Sequence, residues 1–131
     1  MTDIKQQLES VIHVAEAALA NGADVAEFVD LFYDDDAVVV GEGWPVAIRG
    51  VAALLPPLGV MFREWGSRPT MRLILLDPIL TEGSVATTFV DARVTPGKPG
   101  AVEERYRVLY AWKRGARGWR VALEMFAGGA I

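Results

Sequence analysis

From Pro69 onward the chain reads as four long extended runs, residues 70–80, 84–95, 102–114 and 118–127. Three breaks separate them: Glu82-Gly83, Pro96-Gly97-Lys98-Pro99-Gly100 and Arg114-Gly115-Ala116-Arg117-Gly118. Each break carries glycine, and one adds proline, so each suits a hairpin loop. A meander of long antiparallel strands has an apolar face that must be covered by a second layer. That requirement limits the fold more than any other feature of the sequence.

The first half supplies the cover. Leu8, Val11, Ile12, Ala15, Ala18 and Leu19 recur at three- and four-residue spacing, which predicts an amphipathic helix over 3–21. Thr2 or Asp3 can cap its start, and Asn21-Gly22 can end it. Asp24 caps a second helix with Val25, Phe28, Val29 and Phe32 on its buried face, stopping in the acid run Asp34-Asp35-Asp36. Residues 37–40 and 46–48 predict short strands. A third helix is expected over 51–65, interrupted or kinked by Pro56-Pro57 because proline lacks a donor and clashes one turn back. The expected class is α+β, with three N-terminal helices against one face of a sheet, in a single domain over 1–131.

Composition removes several function classes. The chain has no cysteine, which excludes disulfides, thiolate metal sites and cysteine nucleophiles. Thirteen basic against seventeen acidic residues give a net charge of −4, and a nucleic-acid partner needs a basic footprint. No stretch approaches the roughly 20 apolar residues of a membrane span. The start, Met1-Thr2-Asp3-Ile4-Lys5, is polar and does not read as a signal peptide, so a cytoplasmic location is expected. No Gly-rich phosphate loop, Ser-His-Asp arrangement, zinc spacing or dinucleotide fingerprint appears, and no cofactor is expected. His13 is the only histidine and cannot form a metal site alone. Asp34, Asp35 and Asp36 point in different directions as consecutive residues of a turn, so no metal is expected there; one of them is placed to pair with Arg49.

The segment from Ala18 to Asp24, followed by Phe28 to Val39, resembles the opening of SnoaL-like proteins of the nuclear-transport-factor-2-like superfamily. Ile48-Arg49-Gly50 before a helix resembles the next element of that family. Tyr110-Ala111-Trp112-Lys113-Arg114 with Gly118-Trp119-Arg120-Val121-Ala122 resembles its last hairpin. The resemblance covers residues 8–127. It implies a strongly curved, cone-like sheet, mostly antiparallel, with the helices on its concave face around an apolar pocket. It also implies a homodimer formed through the sheet.

The superfamily's ketosteroid isomerases use an Asp base and an oxyanion hole made of a Tyr and a protonated Asp. Alignment of the Gly-Asp turns places Ala15, Gly41 and Val108 at those three positions, with Glu42 beside the second. All three lack the needed group, so that mechanism is not expected unless Glu42 has moved in as a base.

Strand alternation puts Tyr106, Val108, Tyr110 and Trp112 on one face of their run, and Arg120, Ala122, Glu124 and Phe126 on one face of theirs. The resemblance implies that both faces line the pocket. Glu124 is then an acid beside tyrosines in an apolar place, where desolvation raises a carboxyl pKa and fits it for acid–base work. It could instead pair with Arg120, Arg105 or Arg107, or reach solvent at an edge. Tyr106 and Tyr110 can offer hydroxyls to a ligand carbonyl or bond a buried partner. Trp44, on the loop Gly41-Glu42-Gly43-Trp44-Pro45, suits a pocket mouth, with Met61, Phe62 and Trp65 as the opposite wall; all could equally be ordinary core. The candidate ligand-binding set is Phe28, Phe32, Trp44, Leu58, Phe62, Val108, Trp112 and Phe126, with Glu124, Tyr110 and Tyr106 as candidate catalytic groups.

Two functions are expected from these features. One is a pocket protein that binds or transforms a small apolar molecule with a polar handle. The other is a non-catalytic homodimeric module with a vestigial pocket, joined through the outer face that carries Arg105, Arg107, Leu109, Ala111 and Lys113.

Overall fold

Asp3 accepts a hydrogen bond from the Gln6 amide at 2.8 Å and so caps the first helix, α1 (Ile4–Ala20). The structure is a computed structural model that describes residues 3–131; Thr2, the other candidate cap, lies outside the described residues. Asp24 caps α2 (Val25–Phe32) in the same way, accepting from the Glu27 amide at 2.9 Å. Both caps satisfy amide donors that a helix leaves free at its first turn. The third helix, α3 (Val51–Trp65), runs unbroken with Pro56 and Pro57 inside it, so the expected interruption does not occur. No helix among the described residues is long and apolar enough to cross a membrane.

Among the described residues seven strands follow the helices or lie between them: β1 (Tyr33–Gly41), β2 (Ile48–Arg49), β3 (Thr70–Leu75), β4 (Leu80–Glu82), β5 (Val85–Thr95), β6 (Glu104–Gly115) and β7 (Gly118–Gly128). They form one sheet in the order β2-β1-β7-β6-β5-β3, and β4 also pairs with β5. All pairs are antiparallel except β1 with β7, which is parallel. The first extended run is thus two strands, β3 and β4, divided around a cis Asp77-Pro78 bond. At the edge of the sheet Glu16 of α1 accepts from the Leu73 amide at 2.7 Å, occupying a donor that β3 would otherwise leave unpaired.

The helices cover the concave face. Leu8, Ile12, Ala15 and Leu19 of α1, and Phe28, Val29 and Phe32 of α2, are buried against strand residues such as Val39, Val90, Trp112 and Val121. The β5–β6 loop is not a free hairpin tip. Gly97 donates to the Trp65 carbonyl at 2.7 Å, and a Cβ on Gly97 would meet the Ser67 carbonyl at 1.8 Å, so only glycine allows this approach to the end of α3.

Two irregularities set which side chains face inward. On β1 the pairing with β7 jumps from Tyr33↔Val121 to Val38↔Leu123, so the acid run is looped out of the ladder. The three aspartates therefore lie within a strand rather than in a turn. Asp35 pairs with Arg117 at 3.0 Å, not with Arg49. On β7, Trp112↔Val121 is followed by Ala111↔Leu123, which leaves Ala122 as an extra residue. The expectation that Arg120, Ala122, Glu124 and Phe126 share one face is corrected accordingly. Trp119 and Val121 are buried before the bulge, and Glu124 and Phe126 face inward after it. Arg120 turns to the Arg117 and Trp119 carbonyls, both at 2.9 Å.

Candidate functional site

An apolar cavity with about 60 Å³ of open space lies between α2, α3 and the concave face of the sheet. Helix α2 contributes Phe28; α3 contributes Leu54, Leu58, Met61, Phe62 and Trp65. The β1 strand adds Tyr33 and Val39, and the following loop adds Trp44. Met71 and Leu73 of β3 with Ala92 and Val94 of β5 close one side. Tyr106, Val108 and Tyr110 of β6, with Glu124 and Phe126 of β7, form the floor.

Glu124 is the only acid in this lining. It pairs with none of Arg120, Arg105 or Arg107. Instead Glu124 Oε1 accepts from the Tyr33 hydroxyl at 2.5 Å. Burial pushes its carboxyl up to about 7, and the Tyr33 hydrogen bond opposes only part of that rise. A carboxyl with that value exchanges a proton readily near neutral pH. Tyr110 is the cross-strand partner of Glu124. Its hydroxyl has no hydrogen-bond partner among the described residues, so it remains open to a ligand. Burial first, and the charge of Glu124 second, raise both the Tyr33 and Tyr110 pKa values well above the ordinary phenol value, so both are donors at neutral pH.

Tyr106 lies further along β6. Its hydroxyl donates to Glu104 at 2.5 Å, and burial together with that carboxylate raises its pKa to about 12. Trp44 stacks edge-on against Phe126 with centroids 5.1 Å apart, and Phe62 contacts Trp65 at 5.5 Å and Phe28 at 5.4 Å. Trp44 and Phe62 are therefore wall residues, half-buried at the pocket rim. Phe32 and Trp112 stand behind the wall. Each packs on Tyr110, at 5.4 Å and 5.5 Å, and Trp112 donates to Thr88 at 3.0 Å in the core.

Of the three positions aligned with ketosteroid isomerases, Ala15 is core, Val108 lines the cavity, and Gly41 has its space filled by its neighbours. A Cβ on Gly41 would lie 2.5 Å from the Phe126 ring and 3.0 Å from the Trp44 ring. No side chain fits there as the wall is now packed. Glu42 beside it is exposed and not in the lining, as is His13 on α1.

Tyr33 is the site residue that sequence reasoning left without a role. It is both the last cap of α2 and the first residue of β1, with an extended backbone at φ −104°, ψ 144°. The chain passes from helix to strand at this one residue, which turns the ring into the cavity. A signal was available: Tyr33, Ala37, Val39 and Gly41 share odd parity and are all buried. Arg117, from the β6–β7 turn, fixes this junction by bonding Asp30 Oδ1 at 3.0 Å, Asp35 Oδ1 at 3.0 Å and the Tyr33 carbonyl at 3.3 Å.

No described sequence family matches the chain, and no curated protein is significantly similar to it. Solved structures are similar in shape. A nuclear-transport-factor-2-like superfamily protein from Salmonella enterica serovar Typhimurium superposes with a TM-score of 0.76 at 16% identity, over 97% of this chain and 92% of that one. A ketosteroid isomerase-like protein from Erwinia carotovora atroseptica gives 0.70 at 18% identity, with full coverage of both chains. A protein from Streptomyces avermitilis, put forward as a dehydratase of the same fold family, gives 0.72 at 14% identity over 95% of each chain. These likenesses show the fold. The chain has the nuclear-transport-factor-2-like, cystatin-like architecture of three helices on a curled sheet.

Proposed function

We propose that this protein binds a small, largely apolar molecule with one carbonyl or hydroxyl handle, and that Glu124 moves a proton on it. The observation that carries this reading is the Glu124 carboxyl, held by Tyr33 at 2.5 Å in a cavity otherwise lined mainly by hydrocarbon and aromatic rings. A handle bonded by the free hydroxyl of Tyr110 would sit beside that carboxyl, because the two residues are register partners. Proton abstraction next to a carbonyl, or protonation of a leaving hydroxyl, are the reactions such a pair serves. This is the chemistry of isomerases, cyclases and lyases. The standard ketosteroid isomerase route is outside it, since Gly41 and Val108 offer no acid. Proton exchange tests the reading. With cyclohexenone in deuterated buffer, the wild type is expected to speed α-hydrogen exchange, and Glu124→Gln to lose that effect with a melting temperature no lower than that of the wild type above pH 7. Equal exchange rates in the two proteins would remove Glu124 as the proton carrier.

A second reading makes the fold an association module. The outer face of the sheet carries an apolar row: Phe89, Leu109 and Met125 are partners across β5, β6 and β7, and Val40 continues the row on β1. Phe89, Met125 and Leu123 are each more than half exposed. Such a surface is stabilised by covering it, and a second copy of the chain offers the same row. A homodimer through this face is expected, with Met125→Glu shifting it to monomer in sedimentation velocity. A wild type that stays monomeric at high concentration would overturn this reading and leave the pocket proposal intact.

A further inference from the structure

We infer that the groove between the α1–α2 turn and the end of α3 is the outer half of the same binding site, and that it takes the carboxylate head of an amphipathic acid whose apolar part enters the cavity. This rests on the pocket reading above. The groove is open to solvent and offers about 600 Å³ beside about 60 Å³ in the inner cavity, and Phe62 is the one residue in both linings. Phe62 is half-buried and stands in the wall of both spaces.

Beyond Phe62 the inner path is short. Phe62 touches Phe28 at 5.4 Å, Phe28 lies 6.5 Å from Tyr33, and Tyr33 holds Glu124. An apolar chain that displaced the Phe62 ring would lie along this wall, which ends at Tyr33 and Glu124. The outer space differs in chemistry. Arg63 from the last turn of α3 and Arg68 from the following loop both line it, and both are exposed. Neither has an ion-pair or hydrogen-bond partner among the described residues. Asp24 is the only acid in the groove wall, and its carboxylate is engaged in capping α2. Two unpaired guanidinium groups in a chain of net charge −4 mark a local site for an anion. The guanidinium fork matches a carboxylate in two bonds at once.

The inner cavity alone holds too little space for a large ligand. A molecule with its head at Arg63 and Arg68 and its tail past Phe62 uses both spaces, and a carbonyl or hydroxyl borne on that tail would meet Tyr110 and Glu124. The ligand class is thus a medium-chain or aryl-alkyl carboxylic acid rather than a neutral steroid-like ring.

The test uses the intact protein with octanoate and 1-octanol in isothermal titration. Octanoate is expected to bind about threefold to tenfold more tightly, the size that two exposed ion pairs supply, and this preference should shrink in high salt. The double variant Arg63→Gln with Arg68→Gln should bind octanol unchanged and lose the preference. Equal affinities for the two ligands in the wild type, or a preference that survives in the double variant, would overturn the inference while leaving the pocket reading in place. Failure of both ligands to bind would overturn the two together.

Discussion

Tyr33 and Glu124 are 91 residues apart in the chain, and their oxygens meet at 2.5 Å across the β1–β7 pairing. Only one of these two groups is an acid at physiological pH, and its ionisation is coupled to folding.

The pH dependence of stability follows from Glu124. An unfolded chain releases this proton near the ordinary value of 4.5, and the folded protein releases it near about 7. Between those values the folded state holds a proton that the unfolded state has lost. Glu124 thus favours folding most below about 4.5, and this contribution falls as pH rises, levelling off above about 7 after a loss of about 3 kcal/mol. Asp91 works in the opposite sense. Burial disfavours its charge, but hydrogen bonds from Arg93 and Arg105 prevail and lower its pKa, so its stabilisation is lost in acid. The difference between wild type and Glu124→Gln isolates the first effect. The gap in unfolding free energy should move in favour of the variant from pH 5 to pH 8; a constant gap would refute the coupling.

Tyr33→Phe removes the donor to the carboxylate. That hydrogen bond holds the Glu124 pKa down, so its loss should raise the value further. The carboxyl resonance of Glu124, followed by carbon NMR through a titration, should shift its midpoint upward. The midpoint of any Glu124-dependent proton exchange should move with it. A downward shift would mean that Tyr33 does not stabilise the charged form.

Gly41→Ala places a methyl group 2.5 Å from the Phe126 ring. Overpacking of this kind costs about 1–3 kcal/mol. Denaturant unfolding should show that loss, and adding Phe126→Leu should recover part of it by opening the space. If the single variant is as stable as the wild type, the wall around Gly41 is looser than its geometry indicates.

Arg117→Gln cuts the ties to Asp30 and Asp35, both exposed partners, so the stability cost should be below about 1 kcal/mol. The sensitive readout is Tyr33, whose carbonyl Arg117 also bonds. A change in the Glu124 titration midpoint without a matching loss of stability would show that Arg117 positions the pair.

The helices were legible because their periodicity and caps are local: Asp3, Asp24 and the Leu8–Leu19 stripe need no knowledge of the rest of the chain. The hairpin strands were legible for the same reason, through alternation and glycine-bearing turns. Glu124 could be singled out because an acid among apolar neighbours is costly unless it has a partner. Its partner could not, since Tyr33 reaches it only through a parallel pairing between the first strand and the last. The inward face of β7 was misread over Arg120 and Ala122, because strict alternation assumes an unbroken ladder. The docking of Gly97 on α3 was equally hidden, being a contact between backbone groups that a side-chain pattern does not encode.

The extra residue at Ala122 works like a frameshift in the side-chain pattern of β7. Upstream of it Trp119 and Val121 face the core; downstream the inward positions pass to Glu124 and Phe126, with Leu123 and Met125 outside. The strand therefore carries two independent alternations joined at one small residue. Regular pairing that kept Ala122 in the ladder would turn Leu123 and Met125 inward and Glu124 and Phe126 outward in one step. The pocket would lose its one acid and the outer face would gain it. Deleting Ala122 would instead remove the bulge and leave Glu124 and Phe126 inward, so the place of the acid depends on the pairing skipping one position and not on the side chain found there.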